Sequence, residues 1–103
     1  DYKTAEEYYN KAMNIDFDIY AALGLALICK GEGKFDEAVE RLSALIKDDK
    51  TNYRLYIDLA DCYLKMNDQN KAIECLKDFQ KNGIKSTAIT EMLDKITKNM
   101  PLN

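Results

Sequence analysis

The sequence predicts an all-α domain of about six helices in antiparallel pairs, and three observations point to it. Residues 19–52 and 53–86 are each 34 residues long and superpose without a gap. Tyr20-Ala21-Ala22-Leu23-Gly24-Leu25-Ala26 stands opposite Arg54-Leu55-Tyr56-Ile57-Asp58-Leu59-Ala60. Later in each copy, Phe35-Asp36-Glu37-Ala38 stands opposite Gln69-Asn70-Lys71-Ala72. A fixed period of this length is the signature of a stacked helical array. Apolar residues also recur three and four apart through each segment, the spacing of one helix face. No segment alternates apolar and polar residues between turns, as a half-buried strand would.

Taken in order, residues 1–18 are expected to be the second half of a repeat. Ala5, Tyr8, Tyr9 and Ala12 share one helical face there. Counting back from Ala38 to Ala5 gives 33 residues, so the linker that follows is one residue shorter than the period. Asp16 and Asp18 are expected to cap the next helix, since a short carboxylate accepts from free N–H groups at a helix start. That helix is expected over residues 19–30, with Ala22, Leu25, Ala26 and Cys29 inward. Gly31 and Gly33 end it, because glycine is a poor helix former and adopts left-handed ends. The partner helix is expected over residues 35–48, with Phe35, Ala38, Leu42, Leu45 and Ile46 inward. After a polar turn the pattern restarts over residues 53–65 with Tyr56, Leu59, Ala60 and Tyr63. Its partner covers residues 69–82, with Ala72, Ile73, Leu76 and Phe79. Ser86 or Thr87 caps a last helix to about Asn99, within a C-terminal capping segment over residues 87–103. Pro101 stops that helix.

Composition narrows the function. A chain of 103 residues is one small domain. Its 18 acidic and 15 basic residues give a net charge of −3, which argues against nucleic acid, whose phosphates call for a clustered positive field. The longest apolar run, residues 21–29, is too short to insert in a membrane. No histidine is present, removing the commonest general base and metal ligand. Cys29, Cys62 and Cys75 have neither disulfide nor zinc spacing and are expected to be reduced, small core fillers. Together with the lack of a signal peptide, this makes the cytoplasm the expected compartment. No cofactor or metal is expected. Gly31-Glu32-Gly33-Lys34 lacks the spacing of a phosphate loop and the hydroxyl residue after its lysine. Asp58 and Asp61 share a helix face, but no further ligands converge on them. No cysteine has a base beside it. The chain is therefore expected not to be an enzyme.

The residues resemble the tetratricopeptide repeat family. Tyr56, Leu59, Ala60, Tyr63, Ala72 and Leu76 fill six of the seven pattern positions of the second copy, and Phe79 occupies the seventh, where the family prefers a small side chain. The first copy carries Ala22, Leu25, Ala26, Cys29, Ala38, Leu42 and Leu45 at the same places. The resemblance implies helix pairs stacked as a right-handed superhelix. It also implies a non-catalytic module that scaffolds a multiprotein assembly or binds a peptide or helix in its concave groove. Alternatives are a sensor for a hydrophobic small ligand, and a structural spacer in a larger repeat protein.

The groove would be lined by the first helix of each pair. The candidates are Tyr20, Leu23, Leu27 and Lys30, then Arg54, Ile57, Asp58, Asp61 and Leu64. Leu23, Leu27, Ile57 and Leu64 suit either an apolar groove or a tightly curved core, with Arg54, Asp58 and Asp61 orienting a ligand in the first case. Gly24 is expected to relieve packing in preference to the alternative, that it lets a ligand backbone come close. The clamp of lysine, asparagine and arginine that some family members use for a carboxylate is not expected, because Leu23, Leu27, Asp58, Ala88 and Met92 hold the matching positions. A second candidate surface, for self-association into a homo-oligomer, is the first half-repeat with Tyr2, Tyr8 and Tyr9.

Overall fold

The computed structural model describes residues 14–99, with side chains from residue 19 onward. Among the described residues there are five helices and no strand. They are α1 (Asn14–Gly31), α2 (Phe35–Asp48), α3 (Tyr53–Lys65), α4 (Gln69–Gln80) and α5 (Thr87–Lys98). Each helix packs on the next in chain order, and α5 also reaches back to α3. The expected half-repeat over residues 1–18 lies largely outside the described residues.

Short polar side chains cap three helix starts, of which Ser86 is the expected one. Asn52 accepts from the Arg54 N–H at 3.2 Å, Asp68 from Lys71 N–H at 3.1 Å, and Ser86 from Ile89 N–H at 3.3 Å. Each satisfies one of the donors that a helix start leaves free. Gly33 and Gly83 take positive φ, and so does Asn67 at 61°. These are the left-handed positions that end α1, α4 and α3, and asparagine is the side chain that tolerates them best after glycine. One start differs from expectation. Helix α1 already runs from Asn14, so Asp16 and Asp18 lie inside it instead of capping it.

The core is a continuous band of apolar side chains. Ala26, Ala38, Ala60 and Ala72 have no exposed surface at all, and Leu42 and Leu76 lie beside them. Side chains this small let paired helices approach closely, and larger neighbours fill the flanking space. Phe79, at a position where the family prefers a small residue, is accommodated by Tyr56: the rings meet edge to face at 5.1 Å. The Tyr56 hydroxyl donates to the Lys50 carbonyl at 2.9 Å, and Asn82 Nδ2 donates to the same oxygen at 2.8 Å. The turn between the repeats is thereby fixed to the second repeat at both ends. All three cysteines are free and buried. Burial pushes the Cys75 thiol up to about 12, and its Sγ donates to the Tyr56 carbonyl.

Leu25 departs from the expected core stripe. It is 49% exposed, while Ala26 and Cys29 of the same stripe are buried and Ala22 is half-buried. The cause lies in the sequence of α1, where residues 19–29 carry no charge on any side. Periodicity cannot orient a helix that is apolar all round.

Ala60→Leu should overpack the contact between α3 and α4 and cost about 1–3 kcal/mol. Thermal unfolding that matches the parent chain would contradict this placement of Ala60.

Candidate groove and its relatives

Helices α1, α3 and α5 are the first members of successive pairs, so corresponding residues are 34 apart. Two stripes of α1 are distinguished by this comparison. Ala21, Leu25 and Ile28 form one stripe and correspond to Leu55, Leu59 and Cys62 of α3. Tyr20, Gly24 and Leu27 form the other and correspond to Arg54, Asp58 and Asp61. On α3 the first set is buried and the second is polar and at least partly exposed. Helix α1 carries apolar or small residues in both sets, and Tyr20 is 58% and Leu27 41% exposed.

The groove candidates fall into three groups, with Arg54 apart from them. Leu23, Ile57 and Leu64 are half-buried and pack against the core from its edge. Tyr20 and Leu27 are exposed on α1. Lys30, Asp58 and Asp61 are drawn together. Lys30 Nζ lies 3.2 Å from Asp58 Oδ1 and 2.8 Å from Asp61 Oδ2. The acidic pair is therefore neither a bare solvated face nor a vacant cation site, because a lysine from the neighbouring repeat sits on both carboxylates. One ammonium between two carboxylates leaves a net negative charge there. Partial burial disfavours the Lys30 charge, but the hydrogen bonds to Asp61 and Asp58 outweigh it and raise the pKa above the ordinary 10.5. Arg54 is exposed at the groove edge, its guanidinium 5.9 Å from the Tyr53 ring.

Gly24 does not relieve packing. A Cβ built there meets nothing within 4 Å. The helix thus carries the conformational cost of a mid-helix glycine with no close neighbour among the described residues to explain it. Away from the groove, a cleft of about 540 Å³ lies between the end of α4 and the start of α5, lined by Phe79, Ile84, Ile89 and Glu91 among others. Sequence reasoning did not find this cleft, because it depends on how the Gly83 turn is placed. No group of three or more metal-ligating side chains is present among the described residues.

This arrangement of helix pairs at a fixed period defines a helical-repeat module. A family model described as "Tetratricopeptide repeat" matches residues 30–82, about half of the chain, and the chain belongs to that family. Membership makes it a protein–protein interaction module and points to a repeat without catalytic function. Over 74 residues the chain is 38% identical to the "RNA polymerase-associated protein CTR9" of Saccharomyces cerevisiae (strain ATCC 204508 / S288c). The matched region is 71% of this chain and 7% of that relative, so the chain corresponds to a small piece of the yeast protein's length. No described helix is long and apolar enough to cross a membrane.

Lys30→Met should leave two neighbouring carboxylates unpaired and cost about 1 kcal/mol near neutral pH. Because the folded-state pKa of Lys30 is raised, its contribution is fully present below the ordinary value of 10.5. It is lost as pH rises through the folded value. Denaturant unfolding of both proteins from pH 7 to 9 should therefore give a constant difference. A difference that vanishes within that range would contradict the pairing.

Proposed function

We propose that the inner face of α1 and α3 binds a segment of a partner protein. One observation carries the reading: Leu27 is apolar and exposed at a position where the next repeat has Asp61. A folded array gains nothing from apolar side chains at positions it leaves in water, whereas a partner gains from covering them. Leu23, Ile57 and Leu64 supply an apolar floor beneath the bound segment. The excess negative charge at Lys30–Asp58–Asp61 favours a segment with a basic residue beside its apolar ones. Gly24, open on this face, leaves room for the partner backbone to come close.

The net charge of −3 supports a protein partner over nucleic acid. What the chain shares with the yeast relative is a short stretch of repeat, and the proposal carries over a protein partner but not a polymerase. Three buried free thiols suit a reducing compartment, and we place the domain in the cytoplasm on that ground.

Two variants separate binding from folding. Leu27→Asp should unfold at the same temperature as the parent chain and lose capture of partners held by the parent. Gly24→Ala should raise stability by up to about 1 kcal/mol while weakening the same capture. If both variants retain capture at parent levels with the fold intact, the groove reading fails.

A further inference from the structure

The cleft at the end of α4 has a counterpart one repeat earlier, and the two differ in what fills them. Phe79, Ile84, Ser86, Ile89 and Thr90 line the cleft and stand 34 residues after Leu45, Lys50, Asn52, Leu55 and Tyr56. In the earlier repeat the Tyr56 ring is buried at this place, and its hydroxyl donates to the Lys50 carbonyl at 2.9 Å. The same carbonyl accepts from Asn82 Nδ2. In the later repeat Thr90 stands at the position of Tyr56. It is exposed, and its short hydroxyl donates back to the Ser86 carbonyl at 3.0 Å. The Ile84 carbonyl, counterpart of the Lys50 carbonyl, accepts no hydrogen bond among the described residues. Threonine in place of tyrosine thus leaves a mostly apolar cleft of about 540 Å³ beside an unbonded acceptor. That volume falls within the roughly 300–1,000 Å³ of ordinary ligand sites.

We propose that this cleft takes a tyrosine side chain from a partner protein, its ring against Ile84 and Ile89 and its hydroxyl donating to the Ile84 carbonyl as Tyr56 donates to Lys50. Tyrosine suits the site because its body is apolar and its tip is a hydrogen-bond donor. Charge selects what flanks the ring. Lys85 and Glu91 both line the cleft, both are exposed, and neither makes an ion pair among the described residues. A segment with an acidic residue on one side of its tyrosine and a basic residue on the other complements both. Phenylalanine would leave the carbonyl unpaired, and a free phenol would miss both charges. The cleft lies away from the groove on α1 and α3, so this inference is independent of the groove reading.

The probe is a short capped peptide with one tyrosine between a glutamate and a lysine, titrated into the full 103-residue chain and followed by backbone amide NMR. It should shift the Ile84, Ile89 and Thr90 signals saturably. The same peptide with phenylalanine should bind about fivefold more weakly, for want of one hydrogen bond. Thr90→Tyr should fill the cleft from within, raise the melting temperature and abolish saturable binding. Lys85→Glu, at an exposed and unpaired position, should leave the melting temperature unchanged and weaken the tyrosine peptide about threefold. The proposal is overturned by absence of saturable shifts at these residues, by equal affinity for the phenylalanine peptide, or by undiminished binding to folded Thr90→Tyr. Should Thr90→Tyr fail to fold, Lys85→Glu decides, and binding at parent strength overturns the proposal. Binding of p-cresol as tight as that of the peptide would also overturn it, assigning the cleft to a free phenol.

Discussion

Close approach between helices is the constraint on which everything else here rests. Ala26, Ala38, Ala60 and Ala72 are completely buried, and their lack of bulk lets the two helices of each pair lie against each other. Once paired, a helix still has apolar surface left on a second side, because one pair alone cannot bury it all. Stacking pairs at a fixed period resolves this. The first helix of each pair then has three kinds of surface: one toward its partner, one toward the preceding pair, and one toward the inner face.

Function follows from which of these surfaces the array leaves uncovered. On α3 the stripe of Arg54, Asp58 and Asp61 is polar, as expected for residues in contact with water. Its two carboxylates are tied to Lys30 of the neighbouring repeat, which links the repeats. Helix α1 differs by carrying Tyr20, Gly24 and Leu27 at the corresponding positions. The difference between two copies of one unit carries more functional information than either copy alone, since the folding demands on both are the same.

Much of the fold could be read from the sequence, and the limits have physical causes. The bounds of α2 and α3 match expectation to the residue because glycine, asparagine and aspartate mark their ends. The start of α1 does not, because a short carboxylate is as compatible with the first turns of a helix as with its cap. Leu25 was placed in the core on periodicity alone, and α1 has no polar face to fix its rotation. Comparison with Leu59, one period on, identifies the stripe to which Leu25 belongs. The bridge from Lys30 to Asp58 and Asp61 was not foreseen, since it joins residues about one period apart in sequence that meet only when the pairs stack. Gly24 was assigned to packing because a glycine in a helix usually answers to a neighbour, and here the backbone faces open space.

The central claim is that Leu27, exposed where the next repeat has Asp61, serves a partner and not the fold. Methyl NMR of the full chain with a soluble paramagnetic agent reads this directly. The Leu27 methyl signals should broaden strongly as the agent is added to the isolated chain and recover when a captured partner is present. Protection of Leu27 in the isolated chain, or broadening that a partner leaves unchanged, would contradict the account.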